Sequence, residues 1–474
     1  MRTILAFLVL TSGALSACRG TAAPAGSAAG AVTLAPLPAA CGATGAGVSG
    51  SLANEPVTEP LVTFDTAWQI IRRTHWDTTY NGVNWLAVRD ELRPRAAAAR
   101  TRGELRVVLA DMVSRLKQSH FSIIPQETAD AATEKGGGGS ARRSGGALGF
   151  ETRLVDALTL VTHVDTGGPA WRAGVRTGWV LDSIRGCPVA ARVARLPRSL
   201  ETRRRVLMAY QLTTQGLEGA EGDTISLAFR DGTDAPRAVQ LSQGPAAGQV
   251  VKFGNLPPVL ADLSWQRVRA EGRTVGVIRF NIWMPVLAAQ FDAAIDSLRG
   301  ADAIVLDVRG NFGGVGGMSM GFAGHFLDSA LVIGEMLQRG VTTKFRANPR
   351  RIDTQYRPVR PFGGPLALVV DPLSASTTEI FAGGLQGLGR ATVFGTQSAG
   401  QALPSVPERL PNGDILYHAI ADFVGPTGKQ VEGDGVIPDR VTPLLRRALV
   451  EGQDPALAAA ITWAARQAPR PIVP

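Results

Sequence analysis

The chain has 474 residues, 45% of them hydrophobic and 19% charged, which points to about three folded units and excludes both a disordered protein and one small module. Basic residues outnumber acidic ones by 49 to 40; that net +9 suits anionic partners, but no basic block interleaved with aromatics is read, so nucleic-acid binding is set aside. Three cysteines are too few for a disulfide framework and lack zinc-site spacing.

Residues 1–17 carry one early positive charge, an apolar run from Ile4 to Leu10 and small residues before Cys18, the build of a secretory signal. The run is too short to span a bilayer. Leu15-Ser16-Ala17-Cys18 resembles the bacterial lipobox, which implies cleavage before Cys18 and its lipidation, an ordinary signal with a coincidental cysteine being the alternative. Arg19 rather than an aspartate follows. The resemblance therefore implies a protein of the bacterial envelope, lipid-anchored on the periplasmic side of the outer membrane or another extracytoplasmic surface. Residues 18–55 are mostly Ala, Gly, Pro and Ser and read as a tether. Cys41 and Cys187 could pair in an oxidising compartment, but the position of Cys41 in that stretch argues against it.

Residues 56–128 read as a helical region, with Phe64, Ala67, Trp68 and Ile71, then Leu105, Val108, Leu109, Met112 and Leu116, at helical spacing. It ends in Ser119-His120 before a β-like run. A glycine-rich linker, 129–144, follows.

Residues 145–245 alternate short strands and turns, with a helix from about Glu201 to Gly216. Leu148-Gly149-Phe150 and the run Gly168-Pro169-Ala170 through Ala173-Gly174-Val175 to Ile184 resemble a PDZ domain. That likeness implies a loop at Leu148, Gly149 and Phe150 whose backbone N–H groups receive a peptide carboxylate while the peptide adds as a strand.

Residues 255–445 alternate apolar strands (274–280, 303–307, 366–370) with helices, the pattern of an α/β core. A closing helix and tail, 446–474, follow. Two strand ends stand out. Asp307-Val308-Arg309-Gly310-Asn311-Phe312-Gly313-Gly314 runs a strand into a glycine turn able to offer bare N–H groups to an oxyanion. Asp371-Pro372-Leu373-Ser374-Ala375-Ser376-Thr377-Thr378-Glu379 feeds hydroxyl residues into a helix N-terminus, where the dipole favours developing negative charge. Taken alone, Ser376 is equally a helix N-cap.

With the PDZ-like unit before them and Val431-Glu432-Gly433-Asp434-Gly435-Val436-Ile437-Pro438-Asp439 after them, these segments resemble the tail-specific and tricorn family of serine peptidases. The resemblance covers most of the chain after Pro56. It implies a multidomain α/β protein with a crotonase- or ClpP-like catalytic core, Ser376 as nucleophile, and an oxyanion hole from the N–H groups of Gly313 or Gly314 and of Thr377. Ser–Lys relatives place a general-base lysine about 25 residues beyond the nucleophile; this chain has Gln401 there, and glutamine takes no proton at working pH. The tricorn branch implies another base: His120, oriented through Ser119 by Glu432. The other histidines, His75, His163, His325 and His418, match no such motif. No cofactor and no metal are expected. The expected partners are polypeptide substrates, recruited through free C-termini or other segments, and the membrane through the lipid; nucleic acid is not among them. The alternative from another class is a catalytically inactive scaffold that binds peptides or other ligands.

Overall fold

The structure, a computed structural model, describes Cys41 and residues 52–130, 146–196, 201–256 and 258–467. The signal segment, Cys18 and nearly all of the glycine-rich linker lie outside the described residues, while 129 and 130 close the short helix Gln126–Asp130.

At the centre is a six-stranded sheet in the spatial order Leu263–Ala270, Arg273–Phe280, Ala303–Asp307, Leu366–Val370, Thr392–Gly395 and Arg440–Val441. Its first pair is antiparallel and the other four pairings are parallel. Strands Ala303–Asp307 and Leu366–Val370 are buried at every position, as parallel strands covered on both faces must be. Strand alternation sorts their side chains. Ile304, Leu306, Leu368 and Val370 face a core with Phe291, Leu298, Phe381 and Leu385; Ala303, Val305, Ala367 and Val369 face Ala456, Ala460 and Ala464. Those alanines recur every fourth residue on helix Pro455–Arg466, so one small-residue stripe lies flat against the sheet. The two critical strand ends, Asp307 and Val370, emerge side by side at the carboxyl edge, where α/β folds build their sites.

The N-terminal helices Pro60–Thr74, Trp85–Ala98 and Arg102–Ser114 share a core of Phe64, Ile71, Leu92, Leu105 and Leu109. A capping box of Thr101 and Glu104 starts the third. The strand after it, Ser122–Ile124, joins the hairpin Ser405–Arg409/Ile415–Ala419 of the core, with Ser122 opposite Tyr417. This pairing carries the end of the helical region to the unit built on the central sheet.

Between them, strands Phe150–Val155, Leu158–Val164, Val180–Ile184, Thr224–Arg230 and Pro236–Ser242 form one sheet in that order, with Cys187–Pro188 paired to the third. Helix Thr202–Leu217 is inserted between the third and fourth. The structure corrects one expectation: Cys41 and Cys187 form a disulfide across 146 residues. Composition around Cys41 described the local chain and could not show what lies beside it in the fold. Closing a loop of that length removes several kcal/mol of denatured-state entropy in the chain model. Cys187→Ser is expected to cost roughly 2–4 kcal/mol, read as a lower denaturant midpoint than the wild type under non-reducing conditions; equal midpoints would show that the bridge adds no stability.

Candidate active site

Ser376 sits where strand Leu366–Val370 turns into helix Thr377–Gly387, with φ 57° and ψ −120°. A β-carbon at positive φ is strained, so the neighbouring chain must hold it. It does so from three sides. The Ser376 N–H donates to the Gln401 carbonyl at 2.7 Å and to Glu379 Oε2 at 3.0 Å. Ala375 N–H donates to the Asn311 carbonyl at 3.0 Å, and Thr378 Oγ1 to the same carbonyl at 2.9 Å. The Ser374 hydroxyl donates to the Val308 carbonyl at 2.8 Å, and Thr377 Oγ1 to that of Gly314 at 2.9 Å. The Ser376 turn and the glycine turn are thus laced together around a half-buried Ser376.

At Gly313, φ 99°, a β-carbon would stand 2.6 Å from Ser376 Cβ, and at Gly314, φ 137°, one would collide with the Trp283 carbonyl. Only glycine lets the two turns approach this closely. Of the three N–H groups expected to face an oxyanion, that of Gly313 is already engaged: it donates to Asn311 Oδ1 at 3.0 Å. The Asn311 side chain folds inside its own turn, which motif spacing does not reveal. Gly314 and Thr377 are the two whose N–H groups have no partner among the described residues, and Thr377 opens the helix.

The other half of the site comes from the end of the helical region. Lys117 and His120 both have positive φ, 53° and 59°, so the chain kinks twice between helix Arg102–Ser114 and strand Ser122–Ile124. There Ser119 meets Glu432: its N–H donates to Oε1 at 3.0 Å and its hydroxyl to Oε2 at 2.9 Å. The Ser119 Oγ lies 2.7 Å from His120 Nδ1. With Glu432 ionised, the single hydroxyl hydrogen of Ser119 goes to the carboxylate, so Nδ1 carries the proton of its contact and Nε2 keeps its lone pair. Burial pushes the His120 pKa down to about 4, so the ring is neutral near neutral pH. The Tyr417 ring packs 5.7 Å from it, centroid to centroid. Burial also raises the Glu432 pKa, against the Ser119 and Ala402 hydrogen bonds that favour its charge.

The halves meet through one short path: Ala402 N–H donates to Glu432 Oε2 at 2.9 Å, and the preceding carbonyl, Gln401, accepts from Ser376. The His120 ring and the Ser376 hydroxyl are not themselves hydrogen-bonded among the described residues, a looseness common in resting sites. Gln401 therefore builds the site with its backbone. Lys429, by contrast, is exposed on a turn. His75, His325 and His418 are buried, with Gln118, Asp292 and Glu408 as their respective partners, and His163 pairs with Asp165 near the surface.

Two functional groups escaped sequence reasoning. Fully buried Glu379 accepts from Ser398 Oγ at 2.5 Å, Gly400 N–H at 2.7 Å, Gln401 N–H at 2.9 Å and Ser376 N–H. It fastens the turn bearing Gln401 to Ser376, and burial, outweighing those bonds, raises its pKa to about 7. Its place three residues after Ser376 was the available signal. Arg203, from helix Thr202–Leu217, donates to the carbonyls of Ser398, Gly433 and Asp434 at 3.0, 2.7 and 2.9 Å, joining the β-rich unit to the loops that hold Glu379 and Glu432; nothing local marked it.

Beneath the glycine turn, Asp371 receives Arg153 at 2.8 Å and Gly310 N–H at 2.9 Å. Asp307 is paired with Arg309 at 2.7 Å; burial opposes its charge, but Arg309 and Arg279 outweigh it and hold its pKa low.

Residues 274–442 match the model of peptidase family S41, and residues 56–114 that of the tricorn protease C1 domain. The chain is a serine peptidase, and the family S41 match lies on its segment 274–442. The peptidase is 27% identical over 391 residues to the chloroplastic carboxyl-terminal-processing peptidase 2 of Arabidopsis thaliana, covering 82% of this chain and 70% of that one. It is 25% identical over 382 residues to a carboxyl-terminal-processing protease of Picosynechococcus, covering 80% and 82%. Its fold is similar to that of a photosystem II D1 C-terminal processing protease, at TM-score 0.54 and 19% identity over 87% of this chain and 99% of that one. It is likewise similar to mature CPAF, at TM-score 0.56 and 13% identity over 83% and 94%.

Proposed function

We propose that this peptidase is a lipid-anchored endopeptidase of the bacterial envelope in which Ser376 attacks and His120 is the base. The observation that carries the mechanism is the chain Glu432–Ser119–His120, with its proton placement. A carboxylate acting through a hydroxyl fixes the tautomer and stabilises the imidazolium as it forms. Ser376 Oγ bonds to the scissile carbonyl carbon as its proton passes to His120 Nε2; the carbonyl oxygen takes the charge, facing Gly314 and Thr377 N–H. His120 returns the proton to the leaving amine, the C–N bond breaks, and water activated by the same ring hydrolyses the acyl-enzyme.

The β-rich unit serves as the PDZ domain that recruits polypeptides by their C-termini. Gly149 has φ 75° and lies under Pro169, so the Leu148-Gly149-Phe150 loop has the tight backbone an incoming carboxylate needs. The Cys41–Cys187 disulfide fits an oxidising compartment, in keeping with the signal segment and the Cys18 lipobox.

The pH dependence tests the base. A histidine held at about 4 is already deprotonated at pH 6, so the His120 limb of kcat/KM on a soluble peptide is expected near 4, and an inflection near 7, if seen, is expected to vanish with Glu379→Gln. Lys429→Ala is expected to leave that profile unchanged. A limb at alkaline pH that vanishes with Lys429→Ala would give the proton to the lysine instead.

A further inference from the structure

The charge of the chain is not spread evenly. Between Arg339 and Arg360, seven arginines and lysines face a single acidic residue, Asp353, so +6 of the net +9 falls within 22 residues. These charges are interrupted in sequence but share one hairpin, Leu331–Gln338/Val341–Ala347, and the loop that follows, with the exposed Tyr356 among them. Arg350 and Arg357 are neutralised by Asp292 and Asp353. Arg339, Arg346, Arg351 and Arg360 have no carboxylate partner among the described residues, and all four are exposed.

The loop is rigidly built. Val359 N–H donates to the Arg351 carbonyl at 2.9 Å and Asp353 N–H to that of Arg357 at 3.0 Å, making a second small hairpin. The buried Asp353 carboxylate accepts the N–H groups of Gln355 and Arg357, both at 2.8 Å, and Asp296 takes that of Thr354 at 2.7 Å. At the tip Tyr356 is held at φ 60° and is 89% exposed, with Ile352 50% exposed beside the bend. A strained, fully braced turn that spends its bracing on holding a tyrosine in water presents that ring to something else.

We infer that the 339–360 segment is a membrane-surface contact for anionic lipid, which seats the body of the peptidase on the bilayer that carries its anchor. Unneutralised arginines supply attraction to acidic headgroups, and tyrosine with an aliphatic neighbour is interfacial chemistry. The inference rests in part on the Cys18 anchor proposed above. Cys18 and Cys41 are 23 residues apart, at most about 80 Å of chain, and Cys41 is bonded to Cys187 in the folded body. A body tethered to a bilayer needs only a weak patch to dock, because the second contact is intramolecular.

The test uses the full chain with Cys18→Ser, which cannot be acylated, pelleted with phosphatidylcholine vesicles with and without phosphatidylglycerol. Binding is expected only with phosphatidylglycerol and is weakened by salt. Arg346→Gln with Arg360→Gln, two exposed side chains, is expected to weaken it about 25-fold, about fivefold per arginine, and Tyr356→Ala to weaken it further, while all variants turn over a soluble peptide as the parent does. Equal pelleting with both vesicle types, unchanged binding by the variants, or no vesicle binding alongside capture of polyglutamate would overturn the inference, the last pointing to an acidic protein partner. Acyl labelling of the wild type reports the anchor separately, so failure of either reading leaves the other measurable.

Discussion

Ser376→Ala is expected to abolish labelling by a fluorophosphonate and to lower kcat/KM by about 10⁴-fold or more, the range seen when the nucleophile of a cooperating set is removed. The protein should stay folded, because the turn is held by contacts to Gln401, Glu379 and Asn311 that do not need the Ser376 hydroxyl. His120→Ala is expected to cost a similar factor, since the two act as one unit. Ser119→Ala and Glu432→Gln disturb only the orientation and charge behind the ring, so about 10²–10⁴-fold is expected. Grading separates the readings. A His120→Ala enzyme with wild-type turnover would remove the histidine from the chemistry, and a wild type that is neither labelled nor active on any peptide library would leave the scaffold alternative standing.

Arg106→Ala is expected to be the most destabilising single change to the fold, by about 3–5 kcal/mol. The guanidinium is fully buried and paired with Asp414, at 2.9 and 2.7 Å, and with Glu127, at 3.0 and 2.8 Å. Truncation leaves the Asp414 carboxylate, itself at 0% exposure, without its cation, and an uncompensated buried charge costs more than the pair contributes. Adding Asp414→Asn removes that charge and should restore part of the loss, a non-additivity that a double-mutant cycle reads directly. The site should suffer too: Asp414 precedes strand Ile415–Ala419, the partner of Ser122–Ile124, which positions His120. Hydrogen exchange should rise across Arg102–Ile124 as activity falls; loss of activity with exchange unchanged there would separate this ion cluster from the placement of the histidine.

Features whose causes lie within about ten residues were legible in sequence. Ile304, Leu306 and Leu368 sit in apolar runs bounded by turns, and those runs are the two central strands. Gly313 and Gly314 follow a strand and make the turn that only glycine permits; Ser376 stands at a helix start. His120 as the base is what the likeness to the tricorn branch implies, residue 401 being a glutamine that takes no proton.

Local chain determined where strands end, where glycine is required and which side chains have the chemistry of a peptidase. Tertiary structure alone decided which of them meet. It placed Ser119 against Glu432 across 313 residues, bonded Cys41 to Cys187, and brought Arg203 onto the loops that hold Glu379 and Glu432. Hydrogen bonds and ion pairs act over about 3 Å, and a sequence carries no measure of which distant segments come that close until the packing of the sheet and its helices has set the distances.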